Sequence, residues 1–231
     1  MAEPLLVLWD IDHTLIDAGS VARPAYATAF QKATGLVLDQ PWQFDGRTEL
    51  AAATEVMRIH GVEPVADLVA AFIELLTLEL RARAADMAAN GYVLPGAADA
   101  LTALGDVPGV RQSVLTGNLY PLAVLKMEVF GLDHHVDFRL GAYGGDAFER
   151  TDLPAYAFDR TEQHLGYRHS GPDTVIVGDT LRDIATAHAA GARVVAVATG
   201  ATPAPALLAA GADVVLPDLS DTTAVLRAIG R

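Results

Sequence analysis

Cysteine is absent from the 231 residues, which excludes disulfide stapling, thiolate nucleophiles and thiolate-bound zinc and leaves the redox compartment unspecified. Any metal must be held by oxygen or imidazole. Lysine is nearly absent as well, at Lys32 and Lys126 only, so any other cation in a site must be an arginine or a bound ion. The formal net charge is −13, and no basic stripe interrupts it, which argues against a nucleic-acid partner. Long hydrophobic runs are missing too. Stretches such as Leu5 to Trp9 and Val194 to Ala198 are far too short to cross a bilayer, and no basic-then-apolar leader opens the sequence. The expectation is a cytoplasmic protein with no membrane partner.

What is present is apolar and evenly spread. Hydrophobic residues make up 52% and charged ones 19%, a balance that excludes disorder, and the length supports one large domain or one and a half. Leu5 to Trp9 has no period-two alternation and stops at an acidic cluster, as expected of a strand buried on both faces. Ser113-Val114-Leu115, Thr174 to Val177, Val194 to Ala198 and Asp213 to Leu216 share that character, with Phe138-Arg139-Leu140 a weaker candidate. Segments of helical composition separate them. Alternating strand and helix predicts an α/β, Rossmann-like, doubly wound parallel sheet.

Between residues 18 and 91 alanine-rich helical stretches follow one another without a strand. This predicts an inserted all-α cap of three or four helices, with residues 1–17 and 92–231 forming the core. Ser20 is placed to cap a helix stopping at Gly35, Thr48 one stopping at Gly61, and Pro64 opens a long helix ending at Gly91.

Three polar groups directly follow three of the apolar strands: Asp10-Ile11-Asp12, Thr116-Gly117-Asn118 and Gly178-Asp179. In a parallel sheet these tips share the carboxyl edge, where open α/β folds bind ligands. Asp10, Asp12, Asp179 and Asp183 would then crowd one cleft, and mutual repulsion calls for a cation. Mg2+ suits an all-oxygen site that must also accept a substrate phosphate.

Asp10-Ile11-Asp12-His13-Thr14-Leu15 resembles the first signature of haloacid dehalogenase-like phosphatases. Leu115 to Asn118 is similar to the second and Val177 to Asp183 to the fourth, and the ordered set is far more specific than any one string. The helical insertion after the first signature resembles the phosphoglycolate phosphatase and β-phosphoglucomutase branch. The resemblance implies that Asp10 forms an aspartyl-phosphate and that Asp12 is general acid and then base. It further implies Mg2+ held by Asp10, the Asp12 carbonyl, Asp179 and Asp183, with a phosphate oxygen on Thr116 and on the amides of Gly117 and Asn118 at a helix start. The third signature is a lysine or arginine clamp. Arg150, preceding the helix that leads to Thr174, is the choice, and Lys126 the reserve, since a mid-helix lysine is more often solvated. His13 stands where the family commonly has glycine.

Phe44-Asp45-Gly46-Arg47-Thr48 resembles the branch's substrate-facing loop, with Gly46 allowing close approach and Arg47 meeting an anionic substrate group. Residue by residue, the plain alternatives are a turn and N-cap for this loop, a helix cap for Asp183 and a surface role for Arg150. His134-His135 lacks a third ligand, and neighbours in extended chain point apart, so the pair is expected at the surface. The expected partner is a small phosphorylated metabolite. A phosphomutase would use the same residues, and a non-catalytic phosphometabolite-binding module would keep the fold without needing an intact Asp10-Asp12 pair. Nothing in the sequence sets the oligomeric state or the substrate.

Overall fold

The computed structural model describes residues 4–41 and 46–230. A five-stranded parallel sheet runs in the order β4 (Val110–Val114), β1 (Leu5–Trp9), β5 (Thr174–Gly178), β6 (Arg193–Val197), β7 (Val214–Leu216). All five residues of β1 are buried, because successive side chains enter different layers. Leu5, Val7 and Trp9 pack with α5 (Ala97–Gly105), α6 (Tyr120–Val129) and α10 (Thr222–Ile229). Leu6 and Leu8 pack on the opposite face with α7 (Leu153–Leu165), α8 (Leu181–Ala190) and α9 (Ala204–Ala209). With helices on both faces, the expected doubly wound architecture is present.

The strand order reverses at β1, which is flanked by β4 and β5. The tips of these three strands form the crevice at which a doubly wound sheet accepts ligands.

A two-stranded antiparallel ribbon, β2 (Ile16–Asp17) and β3 (Tyr92–Val93), carries the chain out of this sheet and back. Two-residue strands leave no periodic signal in the sequence. Between them lie α1 (Ala22–Thr34), α2 (Glu49–Ile59), α3 (Ala66–Ala82) and α4 (Ala84–Asn90). These helices have their own apolar centre around Tyr26, Phe30, Phe72 and Leu76, to which α6 contributes Leu122. Tyr26 and Phe30 both meet Phe72 edge to face, at ring separations of 5.5 and 6.3 Å.

Some local expectations need correction. Ser20 caps nothing: it sits in a 3-10 turn, Gly19–Val21, and α1 starts behind Val21 without a side-chain cap. Thr48 does cap α2, accepting from the Ala51 amide. The long helix after Pro64 breaks at Arg83, whose backbone leaves helical geometry between α3 and α4. Phe138–Leu140 is a 3-10 turn, initiated by the Asp137 side chain accepting from the Arg139 amide. His134 and His135 also lie in a 3-10 turn, so their rings approach to 4.0 Å instead of pointing apart. His134 is exposed as expected. Among the described residues no helix is long and apolar enough to cross a membrane.

Candidate active site

Asp10 leaves β1 with its amide donating to the Val177 carbonyl at 2.8 Å, so the two strand tips stay in register as the chain enters the loop. The loop then closes tightly. The amides of Thr14, Leu15 and Ile16 all point at the Ile11 carbonyl, and the His13 amide donates to Ile16 at 2.7 Å. His13 adopts φ +60°, a left-handed conformation that glycine takes freely and that costs another residue about 1 to 2 kcal/mol. A glycine would take this turn without that cost.

Asp10, Asp179 and Asp183 are all buried, and each offers a carboxylate oxygen within 4.8 Å of the others. Burial drives the Asp10 carboxyl up to about 6, with Arg150 opposing and Asp183 and Asp12 reinforcing. Burial likewise takes Asp179 up to about 8, helped by Asp10 and Asp183. The rise records first the burial of these carboxyls and then their crowding, with Arg150 opposing it. Thr14 Oγ1 donates to Asp179 Oδ1 at 3.2 Å. Gly200 lets the loop after β6 lie on Asp179: a Cβ there would fall 1.8 Å from Asp179 Oδ2. Gly200 left no mark in the sequence, because its role depends on a contact across the sheet edge.

Asp183 has several contacts at once. Its Oδ2 accepts from the Thr180 amide and hydroxyl in a capping box at the start of α8, and its Oδ1 accepts from Arg150 Nη2 at 2.6 Å. Arg150 comes from a 3-10 turn ahead of α7 and is only 5% exposed. Its Nη2 lies 3.1 Å from Asp10 Oδ1, and Nη1 donates to the Gly46 carbonyl at 3.1 Å. Among the described residues its Nε finds no acceptor.

Asp12 stands apart from this group. It is half-buried, and Lys126 Nζ donates to its Oδ1 at 2.7 Å and its Oδ2 at 2.6 Å, while Asn118 Nδ2 donates to Oδ2 at 2.7 Å. Burial pushes the Asp12 carboxyl up, but Lys126 and Asn118 outweigh it and hold the group below its ordinary value. Lys126 is buried, contrary to the expectation of a solvated side chain. The signal was in the phase of α6: Leu122, Ala123, Lys126 and Met127 share one buried face.

The second signature also differs in detail from expectation. Thr116 is fully buried, and its hydroxyl accepts from the Asn118 amide at 3.2 Å and from Asn118 Nδ2 at 2.8 Å. α6 begins only at Tyr120, behind Leu119. The amides of Gly117 and Asn118 therefore precede the helix start instead of opening it, and the Asn118 amide is already donated. Gly117 is instead a docking point: a Cβ there would lie 1.9 Å from the Arg47 carbonyl, and its own carbonyl accepts from the Glu49 amide at 2.8 Å.

Gly46 and Arg47 thus sit where the helical insertion meets the sheet edge. Phe44 and Asp45, the start of that loop, lie outside the described residues. Gly46 has φ +70°, and a Cβ would meet Thr180 Oγ1 at 2.8 Å. Thr48 Oγ1 donates to the Phe148 carbonyl at 2.6 Å. Arg47 is half-buried, and no ion pair holds it among the described residues. One neighbour escaped sequence reasoning altogether: Tyr26 donates its hydroxyl to Glu49. Burial raises the Glu49 carboxyl to about 6, although the Tyr26 bond and the charge of Lys126 act to lower it.

Comparison with known proteins agrees with this architecture. A predicted phosphatase from Clostridium acetobutylicum is 19% identical, with 98% of this chain and 100% of that chain aligned and a TM-score of 0.72. CbbY from Rhodobacter sphaeroides, solved in complex with phosphate, is 20% identical over 94% of this chain and 95% of that chain, with a TM-score of 0.69. A predicted phosphoglycolate phosphatase from Haemophilus somnus 129pt is 19% identical over 97% and 98%, with a TM-score of 0.64. At such identities the likeness establishes the fold. No curated protein sequence matches significantly. The family model described as haloacid dehalogenase-like hydrolase matches residues 7–188, a span that contains Asp10, Thr116, Arg150 and Asp179, and the chain belongs to that family.

Proposed function

We propose that this hydrolase is a Mg2+-dependent phosphatase acting on a small phosphomonoester through an aspartyl-phosphate on Asp10. The observation that carries the reading is the set of three buried carboxylates, Asp10, Asp179 and Asp183, gathered within 4.8 Å beside a buried arginine at the sheet's switch point. The donor set is all oxygen and carries uncompensated negative charge, which fits a hard divalent cation. Asp10, Asp179 and the Asp12 carbonyl would hold it, with Asp183 in support. When bound, Mg2+ would offset the repulsion between an anionic nucleophile and an anionic substrate.

The remaining work falls to the chain. Asp10 attacks phosphorus, and Arg150, already against Asp10, steadies the nucleophile and offers its free Nε–H to a phosphate oxygen. Thr116 would donate its hydroxyl proton to the same group. Asp12 protonates the leaving oxygen and then, as base, takes a proton from the water that hydrolyses the intermediate. Its pairing with Lys126 favours the basic form, and the arriving phosphate's negative charge raises its affinity for the proton it must first deliver.

Residues 18–91 act as a cap over a core of residues 1–17 and 92–231, and the bonds of Thr48, Glu49 and Gly46 to the core describe its closed position. Closure excludes water from the phosphorylated aspartate. Arg47 and Gly46 lie on the substrate side of this junction. The test is phosphate release from a panel of phosphomonoesters with Mg2+, comparing the unmodified protein with Asp10→Asn. Turnover is expected only in the former, and equal rates in both would refute the reading. A mutase would return the phosphoryl group to a sugar, which product analysis distinguishes, and no specific feature of this site favours it.

A further inference from the structure

Asp10 and Asp12 each face one buried cation, and the two cations come from different elements. Arg150, ahead of α7, pairs with Asp10 and Asp183. Lys126, on α6, pairs with Asp12. An ammonium has three protons to donate, and Lys126 places its Nζ 2.7 and 2.6 Å from the two Asp12 oxygens and 2.7 Å from Asn118 Oδ1. Asn118 completes the ring by donating Nδ2 to Asp12 Oδ2 at 2.7 Å and to Thr116 Oγ1 at 2.8 Å. Every proton of the lysine is therefore directed at Asp12 or at the amide that braces it.

Burial gives this arrangement its stiffness. Lys126 is only 8% exposed, and its neighbours Leu122, Ala123 and Met127 are packed against the interior. The Asp12 side chain, by contrast, keeps 35% of its exposure and lies in the loop that follows β1's end. On the cap side stands Glu49, held by Tyr26, and its carboxylate attracts the same ammonium. The other titratable groups near Asp12 are His13, which is exposed, and the buried Asp10, whose carboxyl Asp12 helps to raise.

On the phosphatase reading above, we infer that Lys126 is a positioning residue for Asp12: with Asn118 it fixes the Asp12 carboxylate in the orientation required for proton transfer at the leaving oxygen, leaving Arg150 alone as the cation on the nucleophile. Among the described residues Lys126 forms an ion pair with Asp12 and none with Asp10, Asp179 or Asp183. A misoriented acid loses rate without losing substrate affinity.

The experiment follows single-turnover release of the leaving group, which precedes the hydrolysis in which Asp12 is base, and compares an alkyl phosphate, whose leaving oxygen needs a proton, with p-nitrophenyl phosphate, whose phenolate departs without one. Lys126→Met should lower the single-turnover rate on the alkyl ester by about 10- to 100-fold, with the half-saturating ester concentration within about 2-fold, and change that rate little on the aryl ester, while steady-state kcat falls on both because Asp12 is also the base of the later hydrolysis. Asp12→Asn should show the same bias, and the double variant should be no slower than Asp12→Asn alone, because the lysine acts only through that carboxylate. Lys126→Arg should recover part of the alkyl rate. An equal loss of single-turnover rate on both esters, a raised half-saturating concentration or additivity with Asp12→Asn would overturn the inference and make Lys126 a phosphate ligand. If Lys126→Met fails to fold by circular dichroism, the alkyl-to-aryl ratio of Lys126→Arg and Lys126→Gln decides in the same way. Absence of turnover by the unmodified protein on every ester sinks the phosphatase reading, whereas turnover with an unchanged ratio in the variants sinks only the role of Lys126.

Discussion

The two sides of the cleft hold aspartates two positions apart in sequence and treat them oppositely. On the proposed metal side, Asp10, Asp179 and Asp183 share a single arginine, and burial leaves Asp10 and Asp179 reluctant to ionise. On the proposed leaving-group side Asp12 has an ion pair with Lys126 and an amide besides, and it ionises more readily than usual despite its burial. The difference teaches that a cluster of acids is not one electrostatic object. A site that must take up a cation is built with charge unbalanced, while a site that must hold a side chain still is built with charge matched.

That contrast can be broken most severely at Arg150. Arg150→Met leaves Asp10 and Asp183 buried without their counter-charge, and a loss of about 3 to 5 kcal/mol in chemical denaturation is expected. Saturating Mg2+ should return part of it. A loss under about 1 kcal/mol would show that the carboxylates find other compensation.

Gly117→Ala probes the seam between the insertion and the sheet edge. The added methyl would meet the Arg47 carbonyl at 1.9 Å, backbone against backbone, so the loop carrying Gly46 to Thr48 must move away. Limited proteolysis near that loop should speed up, and turnover should fall by about 10-fold or more as the closed form is lost. Unchanged proteolysis and turnover would mean that the junction is not closed in solution.

The metal side should also reveal itself through pH. Asp10 and Asp179 have folded values of about 6 and about 8, above their ordinary value, so the folded state holds their protons more tightly than the unfolded chain does. Their stabilising contribution is full below the unfolded value and lost as pH rises through the folded ones. The thermal midpoint of metal-free protein should therefore fall between about pH 4 and about pH 8, and Mg2+ should flatten that fall. Asp179→Asn should remove much of the slope. A metal-free protein whose midpoint is flat over that range, or falls equally with Mg2+, contradicts the unbalanced charge.

The smallest effect is expected at Thr48, which caps α2 and bonds to the Phe148 carbonyl. Thr48→Ala should cost about 1 to 2 kcal/mol in stability and leave the pH response of the metal side untouched. A changed pH response would couple the two regions more closely than their contacts imply.

Much of the fold could be read in advance, for identifiable reasons. Five apolar runs without alternation fall within the five strands to within one or two residues, because strands buried on both faces need continuous apolar sequence. Phe138–Leu140 misled, since a short apolar run says nothing about whether a neighbouring Asp137 will start a turn. The ribbon of β2 and β3 was invisible because each strand is two residues long. In the site, Asp10, Thr116 and Asp179 could be grouped because a parallel sheet brings its strand ends to one edge. The partners of Lys126, Gly200 and Glu49 could not, because each lies on an element whose rotation and approach only packing determines.

The sequence alone determined the order of apolar strands and polar tips, the absence of sulfur ligands and the family to which the chain belongs, since these depend on residue type and order along one dimension. Tertiary structure alone decided which cation serves which aspartate. Arg150 and Lys126 are 24 positions apart and chemically alike at neutral pH, and only the phase of α6 and the path of the turn before α7 bring one to Asp12 and the other to Asp10.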